Sequence, residues 1–282
     1  MCDIINKKTI YPKRREKKMD MLNLSKEQSM ELLDLRKERV SALCLEKKQL
    51  QNLTSRVGVV MDFSGSMEPL YKNGTVQAVL ERLFPIALQF DDNGEMEMWI
   101  FDSTFHRLPN ITMENYYGYI DREVIGKYNM GGTRYAPVLM DVFRKYMIEE
   151  PAELPNYIMY LTDGDNSDKT DAANTIMEMS NYPIFLQFVG LKHSGSYGDF
   201  EFLRKLDTMG GRYVDNANFF NVDDINSAQD GTLYEMLLNE YPQWLDDPKV
   251  KEIIRKCSSG NEDIFNGGGQ QRKKGFFGKL FG

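Results

Sequence analysis

Three cysteines and two histidines in 282 residues leave little material for a soft-metal centre or a disulfide framework. Cys2, Cys44 and Cys257 lie far apart with no C-x-x-C pair, so a structural zinc site is not expected and the thiols read as reduced. No apolar run approaches the roughly 20 residues of a spanning helix. The lysine-rich start lacks the apolar core of a secretory signal, and the expected compartment is the cytoplasm. There is no G-x-x-x-x-G-K-[ST], which excludes a P-loop NTPase. Ser64 sits in no G-x-S-x-G elbow, which argues against a serine hydrolase. The chain is 41% apolar and 27% charged, an ordinary globular composition sufficient for one large or two small domains.

The net charge of −7 is unevenly spread. Residues 1–20 carry a net +4 and residues 272–282 another +4, leaving −15 on the body between. Binding a duplex backbone needs a basic face that displaces counterions. Nucleic acid is therefore not an expected partner, whereas an acidic body suits a cation site.

Four zones follow from composition. Residues 1–20 are basic and lack an apolar face, and they read as a disordered arm. Residues 21–55 read as helical: Ser25 and Gln28 form a capping-box pattern, and Leu32, Leu33, Leu35, Val40, Leu43, Leu50 and Leu53 form an apolar stripe. The stripe is expected to pack on the next domain rather than to form a coiled coil, because its heptad is broken.

Residues 56–246 alternate strand and helix patterns. Strands are expected at 56–62, 95–101, 157–162, 183–189 and 211–214. Helices are expected at 75–90, 112–128, 135–148, 168–179, 200–209 and 223–245. This order implies an α/β fold, a doubly wound and mostly parallel sheet flanked by helices, with ligands at the carboxyl ends of the strands. Residues 247–282 read as a flexible linker with a basic, aromatic end. In that tail Phe276, Phe277, Leu280 and Phe281 would share one face if helical, beside Arg272, Lys273, Lys274 and Lys279. Such an end suits an anionic membrane surface or a groove on another protein.

The most informative stretch closes the first strand: Asp62-Phe63-Ser64-Gly65-Ser66. Three oxygen side chains at alternate positions converge where a strand gives way to a helix. Hard oxygen donors of low total charge suit Mg²⁺, with Mn²⁺ as a substitute. Gly131-Gly132-Thr133 and Thr162-Asp163-Gly164 end at the same expected edge.

In this order D-x-S-x-S, G-G-T and T-D-G resemble the metal-ion-dependent adhesion site of von Willebrand factor A (vWA) domains, and the resemblance spans Arg56 to about Leu245. It implies that Ser64, Ser66 and Thr133 supply hydroxyl ligands, Thr133 directly in one state and through water in another. Asp62 and Asp163 would hold coordinated waters, and the sixth position would await an acidic side chain of a protein partner. The wording around the motifs, including YPIFLQFVG and FLRKLDTMGGRYVDNANFF, resembles the A-type domain of bacterial and phage TerF-like proteins. That likeness implies a non-catalytic interaction module in tellurium resistance or stress response. The segment LNLSKEQS resembles the start of a TerD-type module, too briefly to carry calcium sites over. Residues 191–198 (LKHSGSYG) form a longer loop than the likeness leads one to expect.

Rival chemistries fit less well. A haloacid-dehalogenase phosphatase needs an acid/base Asp two residues after its nucleophile, and Ser64 stands there. An EF-loop starting at Asp163 would need Gly where Asp168 stands. A metal-dependent hydrolase of phosphorylated or acyl substrates is the principal alternative, but it lacks an evident general base. Asp165 and Asn166 read equally as turn residues or as outer groups of the site. Tyr71, Asn73, Tyr135 and His193 are candidates for its rim.

Overall fold

The computed structural model describes residues 24–164, 166–193 and 200–258. The basic arm, Asp165, most of the loop after His193 and the aromatic tail lie outside the described residues. In chain order the elements are α1 (Lys26–Glu46), β1 (Arg56–Asp62), α2 (Glu68–Lys72), α3 (Thr75–Phe90), β2 (Met96–Phe101), β3 (Phe105–Ile111), α4 (Tyr119–Glu123) and α5 (Ala136–Arg144). There follow β4 (Asn156–Thr162), α6 (Lys169–Met179), β5 (Ile184–Leu191), α7 (Glu201–Asp207), β6 (Ala217–Val222), α8 (Asp230–Leu237), α9 (Tyr241–Asp246) and α10 (Pro248–Ser258).

The sheet order is β3-β2-β1-β4-β5-β6. Every pairing is parallel except that of β2 with β3. The centre is β1, whose sequence RVGVVMD is buried from its second residue onward, as a strand covered on both faces requires. Alternation along it separates two cores. Val57, Val59 and Met61 pack with α1 and α3, whereas Val60 packs with α5 and α6. Gly58 is needed here because a Cβ would come 2.7 Å from the Tyr146 hydroxyl. The chain winds outward from β1 in one direction and from β4 in the other. The carboxyl ends of β1 and β4 therefore flank the switch point, where such sheets bind ligands.

The N-terminal helix belongs to this body. Ser25 Oγ accepts from Gln28 N–H at 3.3 Å while Gln28 Oε1 accepts from Ser25 N–H at 2.9 Å. This reciprocal cap starts α1, which then lies along α3. Its inward face is Ser29, Leu33, Arg36, Val40 and Cys44, while Leu35 of the expected stripe is exposed.

Several expected elements differ from those observed. The expected helix over 112–128 contracts to one short helix, α4, because a Thr112–Asn115 turn and left-handed Gly118 interrupt it. The expected strand at 211–214 does not form; the sixth strand is β6, whose Asn218 amide donates to Gln187 Oε1 at 3.0 Å. The edge strand β3 had no expectation attached to it. The expected helix over 223–245 is two helices, α8 and α9, with Pro242 in the first turn of the second. Residues 248–258, expected to open a flexible linker, form α10 with Val250 and Ile253 buried.

Candidate metal centre

Parallel pairing of β1 with β4 places Asp62 beside Thr162 at the carboxyl edge. Asp62 is fully buried: its Oδ1 accepts from Ser64 N–H at 2.7 Å and its Oδ2 from the Thr162 hydroxyl at 2.6 Å. The chain then turns through Gly65–Met67 into α2, and this turn carries Ser64 and Ser66 over the strand end. Their Oγ atoms lie 3.1 Å apart, and Ser66 Oγ donates to Asp163 Oδ1 at 2.9 Å. Asp163 follows β4 directly, so four of the five expected site residues form one continuous hydrogen-bonded row.

Thr133 arrives on a third segment. Ser64 and Gly131 form an isolated bridge, and Gly65 N–H donates to Gly131 O at 3.0 Å. A side chain at 131 forces a local shift, because a Cβ would stand 2.2 Å from Asp102 Oδ2. The Thr133 carbonyl accepts from Ser167 N–H at 2.9 Å, which ties its loop to the one after β4. Its hydroxyl bonds to none of the other four residues.

Burial raises the Asp62 carboxyl to about 7; hydrogen bonds from Ser64 and Thr162 oppose the rise, and the nearby charge of Asp163 adds to it. Two nearby carboxylates with hydroxyls between them are the donor set of a hard divalent cation, whose charge offsets their repulsion. Among the described residues no three His, Cys, Asp or Glu side chains form a metal-holding group.

Two contributors escape the sequence reading of the motifs. Asp168 accepts from the backbone N–H groups of Tyr135 and Ala136 at 2.9 and 2.8 Å, capping α5 and holding the Thr133 loop in place. His193 Nε2 lies 2.9 Å from Asp163 Oδ2, making a contact that its place on the expected rim does not specify. The order is Ser66, Asp163, His193. A catalytic triad needs the imidazole between hydroxyl and carboxylate, so this row does not activate Ser66 as a nucleophile. Tyr135 is buried, donating to Gly164 O at 2.6 Å, and Tyr71 donates to Asp62 O at 2.9 Å. Both brace the site from beneath and neither stands on its rim.

The family vWA-TerF-like, described as the vWA found in the TerF C terminus, matches residues 54–254. The uncharacterized protein YcbR of Bacillus subtilis (strain 168) is 43% identical over 242 residues, covering 85% of this chain and 94% of its own. Among solved structures, the manganese-loaded TRAP protein of Plasmodium vivax superimposes with a TM-score of 0.46 at 15% identity, over 71% of this chain and 74% of that one. The ArnB paralog VWA2 from Sulfolobus acidocaldarius gives a TM-score of 0.40 at 17% identity over 65% of this chain, which spans only 45% of that protein's length.

Proposed function

Because the chain belongs to the vWA-TerF-like family, we propose that it is a non-catalytic interaction module whose divalent cation, Mg²⁺ or Mn²⁺, receives an acidic side chain from a protein partner. The observation that carries this reading is the row from Asp62 through Ser64 and Ser66 to Asp163 at the switch point. Ser64, Ser66 and Thr133 would hold the cation through neutral hydroxyls, and Asp62 and Asp163 would orient its waters. When bound, the cation supplies a Lewis acid for an anionic ligand.

The chain's own residues prepare that edge. Thr162 and Ser64 N–H hold Asp62 in place, and Asp168 fixes the entry to α5. Each oxygen of Asp62 and Asp163 accepts one hydrogen bond from the protein, which fixes the two carboxylates and leaves lone pairs to orient the cation's waters. The likeness to TerF-type domains supports reading the module as part of tellurium resistance or a stress response. Affinity purification of wild type beside Asp62→Ala, both in millimolar Mg²⁺, tests the proposal. Proteins retained by wild type alone, and lost with EDTA, are the expected result; identical retention by both forms would overturn it.

A further inference from the structure

The contact between His193 and Asp163 carries more than a rim position requires. The His193 side chain is nine-tenths buried and Asp163 almost wholly so. An ionised carboxylate only accepts, so Nε2 carries the hydrogen in this contact. Asp163 is thereby held at both ends, with Oδ1 receiving the Ser66 hydroxyl at 2.9 Å and Oδ2 receiving the imidazole at 2.9 Å. Two fixed donors, one to each oxygen, define the plane of a carboxylate, where one leaves it free to rotate. The two donors come from different parts of the sheet edge, Ser66 following β1 and His193 following β5. His193 thus ties a third strand end to the β1–β4 switch point.

We infer that His193 is a positioning residue, which sets the orientation of Asp163 and through it the cation affinity of the site. The inference rests on the metal reading above and adds a residue to it. Groups that orient a metal's direct ligands commonly tune its affinity by about 10- to 100-fold, and His193, which acts through Asp163 on the ligand Ser66, is expected at the low end of that range. The direction here follows from Ser66. With Oδ2 released, the carboxylate turns away, and Ser66 loses the acceptor that keeps its lone pairs facing the Ser64 side. Asn or Gln at position 193 keeps an N–H donor, whereas Ala removes it.

The test measures Mg²⁺ and Mn²⁺ binding to the full chain by titration calorimetry for wild type, His193→Ala and His193→Gln, with melting temperatures in EDTA beside it. The expected result is a cation affinity about tenfold weaker in His193→Ala and largely restored in His193→Gln. The three melting temperatures in EDTA should differ by less than the metal-induced shift of wild type. A merely structural role would lower the EDTA melting temperature and leave the order of affinities unchanged. Equal cation affinity in wild type and His193→Ala, or no recovery in His193→Gln, would overturn the inference while leaving the metal site standing. Absence of cation binding in wild type would instead remove the metal reading on which it rests.

Discussion

Arg36 of α1 donates through Nε to Asp230 Oδ2 of α8 at 2.9 Å, across 194 residues of sequence. The other oxygen of Asp230 accepts from Arg82 Nε of α3 at 2.6 Å, so one carboxylate joins three helices. Both arginines are buried. Arg82 also donates to the carbonyls of Ile225 and Ala228, and Arg36 to the carbonyl of Glu81. The cluster is buried charge made tolerable by pairing and hydrogen bonding.

Asp230→Asn should therefore be costly, because it leaves two buried guanidiniums facing a neutral amide. Removing one partner of such a pair costs about 3–5 kcal/mol. Burial pushes the Asp230 carboxyl up, but the two arginines overcome this and hold it below the ordinary range. Its stabilising contribution is thus present above the ordinary carboxylate pKa and is lost as the pH falls through the lowered folded value. Urea unfolding at a series of pH values should show a wide gap between wild type and variant at neutrality, narrowing in acid. A gap independent of pH would contradict this assignment.

Millimolar Mg²⁺ or Mn²⁺ should raise the melting temperature of wild type, and EDTA should reverse the rise. A ligand that binds only the native state adds about 2.7 kcal/mol at a hundred times its Kd. Ser66→Ala and Thr133→Ala should melt like wild type in EDTA, since neither leaves a core cavity, yet gain little from the metal. Scanning fluorimetry over a metal titration reads both effects.

Gly131→Ala should act on the site and only weakly on the fold. The added Cβ meets Asp102 Oδ2 and Cγ, so either the Asp102 side chain or the loop bearing Thr133 must shift. Position 131 is exposed and no core packing is lost. Cation affinity should fall by about tenfold, in the range typical of displaced supporting groups, with a melting temperature in EDTA close to that of wild type. Calorimetric titration of the variant decides the matter.

Legibility in the sequence follows how local each signal is. The buried run RVGVVMD and the Ser25–Gln28 cap each specify their element from a few adjacent residues, and both form where expected. The strand β3 escapes because its His106, Arg107 and Pro109 suit only an edge, where Pro costs no ladder bond. The inward face of α1 is blurred because Ser29 and Arg36 occupy core positions. Their partners, Glu81 and Asp230, lie 52 and 194 residues away. At the candidate site the three motifs are readable because each is a contiguous string. Asp168 and His193 act on them from other loops, and no local pattern announces that pairing.

The family match begins at residue 54, after α1, yet the packing implies that a domain cut there is incomplete. A chain beginning at Asn52 would lose Leu33, Val40, Cys44 and Leu50 from the core that α3 and α8 share. It would also strip Arg36 from Asp230 and the Ser29 hydroxyl from Glu81, the latter a 2.7 Å contact. Burial of those apolar side chains is worth about 5 kcal/mol or more, at about 1.5–3 kcal/mol for each large one. Loss of one guanidinium from the cluster leaves Asp230 still paired to Arg82, so the apolar contribution dominates. In a domain of this size 1 kcal/mol moves the melting temperature by roughly 2–4 °C. The truncated chain should melt about 10 °C or more below the full chain, and its newly exposed α3 face should bind a hydrophobic dye before the transition. Adding back a peptide spanning residues 24–51 should recover part of the loss in a concentration-dependent manner. A truncated chain that melts with the full-length protein would show that α1 contributes nothing to the stability of the domain.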